Sequence, residues 1–151
     1  MQMTKRWVLI AVGLGLVLMS AIASGEAFAR DRVPQLANAL LQFEQNVTWR
    51  SVRPEWSGLR DDWVATVQAV STPAEIATQM LALEVSMRWQ SVEKAWRDRR
   101  DGWVAEMQAA ETDAEVAQGL LELERNTLWS AVTEDWRGLR DAWVAGLEAI
   151  D

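Results

Sequence analysis

Three glutamates, Glu44, Glu84 and Glu124, and three arginines, Arg60, Arg100 and Arg140, recur at intervals of 40 residues, and so do the tryptophans Trp49, Trp89 and Trp129 between them. These residue types support a short list of chemistries. Two carboxylates suffice for glycoside hydrolysis. A ladder of guanidiniums can grip carboxylates or phosphates through paired N–H groups. Exposed indoles can line a groove for a glycan, a quaternary amine or an apolar cofactor. Each has a structural counterpart: a repeated Glu–Arg bridge between helices, and tryptophans that form a core.

The spacing favours the structural readings for most of these groups. A catalytic carboxylate pair is built once, at one cleft, whereas here three equivalent copies exist, as a scaffold would have. Arg60, Arg100 and Arg140 each follow one tryptophan by four residues and precede another by three, so on a helix each guanidinium is expected to stack between two indoles. Each arginine is followed by an aspartate, Asp61, Asp101 or Asp141, which weakens an anion site. Trp49, Trp89 and Trp129 fall off the apolar face that precedes them. They and the three arginines are the candidate contacts for a partner or ligand.

Absent residue types restrict the chemistry further. The chain has no Cys, no His and no Tyr. Thiolate nucleophiles, disulfides and sulfur-held metals are excluded, and so are the commonest general base and metal ligand. No Asp/Asn/Gly-rich loop of the calcium-binding kind occurs. The expectation is a protein that is not an enzyme, with no catalytic residues, cofactor or metal site.

The elements that carry these residues come from a threefold repeat. WRSVRPEWSGLRDDW at 49–63 returns as WQSVEKAWRDRRDGW at 89–103 and WSAVTEDWRGLRDAW at 129–143, and nine of the ten tryptophans lie in these copies. Repeats of about 32–71, 72–111 and 112–151 fill the chain after residue 31. Apolar residues at 76, 80, 83 and 87, and again at 96, 103, 107 and 110, keep helical intervals. Thr72-Pro73-Ala74-Glu75 and Thr112-Asp113-Ala114-Glu115 read as capping-box starts.

Midway through each repeat the apolar face turns by roughly half a circle, which predicts a break near residues 90–93. Pro54 suits the first turn of a second helix, since inside a helix it costs roughly 3 kcal/mol. Residue pairs whose numbers sum to 183, such as Met80 with Trp103, would then face each other, with Glu84 opposite Arg100. The fold class is therefore all-α: three tandem 40-residue helix-turn-helix hairpins stacked as a short solenoid, the alternative being an antiparallel bundle of three long kinked helices.

Residues 1–29 stand apart. Lys5 and Arg6, an apolar run from Trp7 to Ala23, and Ala27-Phe28-Ala29 predict a secretory signal peptide, with an uncleaved membrane anchor over residues 7–25 as the alternative. Without that segment, which holds two basic residues and one acidic one, the net charge moves from −7 to −8. Nucleic acid and an anionic membrane surface are poor partners for such a domain, 30–151. Of its basic residues only Lys94 is a lysine. An exported domain without disulfides suits a bacterial envelope, in the periplasm or outside the cell. The functional expectation is an exported helical-repeat protein that acts by protein–protein contact, as an adaptor, assembly factor or chaperone-like protein. Self-association through uncapped end repeats is a further possibility. The alternative is a small-ligand binder with a tryptophan-lined groove.

Overall fold

The structure, a computed structural model, describes residues 32–151. The expected signal segment lies outside the described residues. Six α-helices are present: α1 (Arg32–Gln45), α2 (Trp56–Gln68), α3 (Pro73–Ser86), α4 (Trp96–Ala109), α5 (Asp113–Arg125) and α6 (Glu134–Glu148). A short 3-10 turn joins the two helices of each repeat, at Trp49–Ser51, Trp89–Ser91 and Trp129–Ala131. The protein is all-α, and each repeat is a hairpin rather than one kinked helix. Among the described residues no helix is long and apolar enough to cross a membrane.

Local chemistry explains where the helices start and stop. Thr112 Oγ1 accepts from Glu115 N–H at 3.2 Å while the Glu115 carboxylate accepts from Thr112 N–H at 3.0 Å, a complete capping box at α5. At α3 the Thr72 hydroxyl caps Glu75 in the same way, but Glu75 reaches back one residue further, to Ser71 N–H at 2.7 Å, with Pro73 opening the helix. Pro54 sits in the turn that leads into α2, whose first bond runs from Trp56 N–H to the Arg53 carbonyl. Placed there, its missing N–H costs nothing.

The first helix of every repeat is the more deeply buried one. Leu36, Leu40 and Phe43 of α1, Ile76, Met80 and Leu83 of α3, and Val116, Leu120 and Leu123 of α5 are all fully buried. The second helices present Trp56 and Trp63, Trp96 and Trp103, and Trp136 and Trp143 to that core. Six of the nine repeated tryptophans thus anchor the interior. Ile76, Met80 and Met87 are buried together with Met107, Trp103 and Trp96, as hairpin pairing requires.

The three hairpins close on themselves. Each mid-repeat segment pairs with the next through an antiparallel bridge: Val52 with Met87, Val92 with Thr127, and Val132 with Val47. Arg53 N–H donates to Ser86 O at 2.8 Å and Glu93 N–H to Asn126 O at 2.7 Å; Thr133 N–H completes the cycle at Asn46 O, 2.7 Å. Indole N–H groups repeat the pattern lower down. Trp63 donates to the Gln79 carbonyl (3.0 Å), Trp103 to that of Gly119 (3.0 Å) and Trp143 to that of Ala39 (2.9 Å). Phe43 packs on Trp136 and Trp143 at ring distances of 5.9 and 6.0 Å, sealing the junction of the first and third repeats. A stack with two open ends has no such third junction. The uncapped end repeats on which self-association was expected are therefore absent from residues 33–151, which form one compact unit.

Candidate functional site

Each hairpin holds one buried carboxylate between two donors. Glu44, Glu84 and Glu124 are each 5% exposed, on the last turn of a first helix. Arg60 Nε donates to Glu44 Oε1 at 2.7 Å, Arg100 Nε to Glu84 Oε1 at 2.7 Å, and Arg140 Nε to Glu124 Oε1 at 2.6 Å. The same oxygen accepts the indole N–H of Trp56, Trp96 or Trp136 at 3.2, 3.3 and 3.3 Å. A tryptophan and an arginine four residues apart share one helix face, so both reach one acceptor on the facing helix. Glu44 Oε2 and Glu124 Oε2 are buried without a hydrogen-bond partner, whereas Glu84 Oε2 receives Arg100 Nε at 3.0 Å.

The bridge acts on the arginines. Hydrogen bonding to the glutamate, opposed by burial, holds Arg60, Arg100 and Arg140 above the ordinary arginine value. Their side chains are 26–28% exposed, and the neighbouring aspartates lie at 3.9 Å while almost wholly in solvent. These guanidiniums are held within the hairpin and are poorly placed as a ladder for external anions.

The expected stacking of each arginine between two indoles does not occur. Trp56 and Trp63 meet each other edge to face at 5.2 Å, as do Trp96 and Trp103 at 5.3 Å and Trp136 and Trp143 at 5.1 Å. The arginine instead bonds the buried glutamate of the facing helix, because a buried carboxylate left without a cation costs more than a cation–π contact returns.

Trp49, Trp89 and Trp129 open the 3-10 turns and lie outside the core, at 60, 41 and 50% exposure. In the first repeat Trp49, Arg60, Glu44, Val47 and Val52 line a crevice of 280 Å³; in the second Trp89, Arg100, Glu84, Met87 and Val92 line one of 190 Å³. The fold thus brings each candidate tryptophan to the candidate arginine of its own repeat. In the third repeat the Arg140 guanidinium lies 5.9 Å from the centre of the Trp129 ring.

Sequence reasoning missed a second set of cations. Arg97 stands 5.4 Å over Trp89 and Arg137 5.5 Å over Trp129. Both follow their tryptophan by eight residues, a separation that spans the turn and so escapes any helical-interval pattern. A further cavity, of 290 Å³, opens where the three turns meet, lined by Arg50, Arg88 and Gln90 with Ser51, Ser91 and Ser130. Its residues come from all three repeats, so only the tertiary fold assembles it.

Residues 30–88 match a family model described as a domain of unknown function (DUF8799). The matched span holds the first hairpin and all of α3, and so includes the first of the three junctions. No curated protein and no solved structure matches the chain.

Proposed function

We propose that this chain is an exported, non-enzymatic binding protein whose partner is another protein, gripped by the tryptophans at the turn end of the ring. The observation that supports this is the placement of Trp49, Trp89 and Trp129. Burial accounts for the six other repeated tryptophans, but these three are kept in all copies while 41–60% exposed. Tryptophan and arginine are the side chains most enriched at the energetic centres of protein interfaces, where a rigid indole supplies large contact area at little entropic cost. Size bears on the alternative. The crevices beside Trp49 and Trp89, at 280 and 190 Å³, fall below the roughly 300–1,000 Å³ typical of small-molecule pockets and suit one protruding side chain better.

The test is capture from the source's envelope extract on immobilised wild-type chain and on the W49A/W89A/W129A variant, with both shown to unfold at the same temperature. The expected result is a partner retained by wild type and weakened at least about tenfold by the variant, since one or two interface anchors supply that much. Identical retention by both proteins overturns the reading.

A further inference from the structure

The three repeats share an exposed indole, yet they do not treat its face alike. Arg97 covers Trp89, and Arg137 with Arg140 covers Trp129. The residue eight positions after Trp49 is Ser57, too short to reach over the ring. Trp49 has no cation over it among the described residues and is the most exposed of the three. Its crevice is also larger, 280 against 190 Å³ beside Trp89.

We infer that the open face of Trp49, beside this crevice, receives the guanidinium of an arginine presented by a protein partner, as the faces of Trp89 and Trp129 receive the chain's own Arg97 and Arg137 in the sister repeats. This rests on the reading of the exposed tryptophans as contact residues and names what one of them contacts. A planar, weakly hydrated guanidinium stacks on an indole better than an ammonium does. Both internal precedents are arginines. Val47 and Val52, buried on the floor of the crevice, offer apolar surface to the methylene stem of such a side chain. Arg60 in the same crevice does not bar a second cation, because Glu44 at 2.7 Å and Asp61 at 3.9 Å offset its charge. The chain's net charge of −7 favours a basic partner surface.

The experiment is an indole ¹⁵N–¹H NMR titration of the full chain with N-acetyl-arginine amide, and in parallel with N-acetyl-lysine amide. The Trp49 Nε1–H signal is expected to shift saturably with the arginine probe and less with the lysine probe, while those of Trp89 and Trp129 respond weakly. In S57R, which places an arginine where the sisters have one, the Trp49 response weakens about two- to fivefold, the ratio a surface cation–π contact supplies. Ser57 is exposed, and an unchanged pattern of the six buried indoles verifies folding. Equal shifts at all three exposed tryptophans, a stronger response to lysine, or an undiminished response in S57R each overturns the inference. If that happens while W49A/W89A/W129A still loses its partner, only the guanidinium assignment fails. If Trp49 responds as expected but the triple variant keeps its partner, the interface reading fails and the guanidinium site stands.

Discussion

Asn46 and Thr133 are 87 residues apart in the chain and are joined twice: Thr133 N–H donates to the Asn46 carbonyl at 2.7 Å, and Thr133 Oγ1 donates to Asn46 Oδ1 at 2.7 Å. This pair closes the ring. Native-state hydrogen exchange checks it directly. The Thr133 and Thr48 amides, which bond across the first–third junction, are expected to exchange as slowly as those of Arg53 and Glu93 at the other two. Fast exchange confined to Thr48 and Thr133 would mean an array that opens at one seam.

Replacing a buried tryptophan should cost far more than replacing an exposed one. Trp96→Ala removes a fully buried indole and one donor to Glu84, and is expected to cost about 3–5 kcal/mol. Trp89→Ala removes mainly a surface cation–π contact, about 1 kcal/mol or less. Urea denaturation of the two variants measures the difference, and comparable losses would contradict the assignment of interior and surface.

The Glu84–Arg100 bridge is expected to behave as a coupled unit. Glu84→Leu strands a guanidinium that is 26% exposed, so the loss is about 2–3 kcal/mol, below that of a fully buried pair. Arg100→Met strands the more deeply buried carboxylate and should cost at least as much. The double variant E84L/R100M should lose less than the two single variants summed, because apolar groups satisfy each other there. A double-mutant cycle by denaturation reads this out, and strict additivity would refute the coupling.

Gly119 creates room for Met107, whose Sδ a β-carbon at that position would overlap. Gly119→Ala gains about 1 kcal/mol of helix propensity, while the flexible thioether end of Met107 can shift along the open crevice it lines, so a net change of about 1 kcal/mol or less is expected. The first–third junction uses Ala39 with Leu147 at the equivalent places. G119A/M107L should therefore melt at least as high as G119A, and a double variant less stable than G119A would break the analogy between junctions.

The stability of this chain should vary little near neutral pH. It has no His and no Cys, the side chains whose ordinary values lie nearest neutral pH. The raised arginine values place the loss of those bridges in strong alkali, since a raised base stabilises until the pH passes its folded value. Glu115 sets an acid effect. The Glu111 and Thr112 backbone N–H groups hold it below the usual carboxylate range, so its contribution is present above that range and is lost as pH falls through the lowered value. Glu115→Gln should melt below wild type at pH 7, with the difference shrinking in acid. A difference that grows in acid would reverse the sign.

Much of the fold was legible in the sequence, for reasons that lie within single elements. The interval between Glu84 and Arg100 predicted a bond across a hairpin, and the bond exists at 2.7 Å. The position of Trp49, Trp89 and Trp129 off the apolar face predicted their exposure. The stacking of Arg60 between Trp56 and Trp63 was misjudged, because spacing places side chains on one face without saying which partner they prefer. There the facing glutamate takes the guanidinium, and the two indoles meet each other instead.

By itself the sequence determined the threefold repeat and its helical elements, favoured a hairpin over one kinked helix, and set Trp49, Trp89 and Trp129 apart from the six tryptophans that go inside. Apolar period, caps and Pro54 act over one or two turns of chain, so each copy carries that information whole. Only the tertiary structure decided that the third repeat returns to the first and that Trp49, of three equivalent tryptophans, keeps an open face. Closure depends on the rotation accumulated between rigid hairpins at each junction, a sum that no single repeat encodes. The open face depends on Ser57 standing where its sisters place an arginine, across a turn whose course only the folded chain shows.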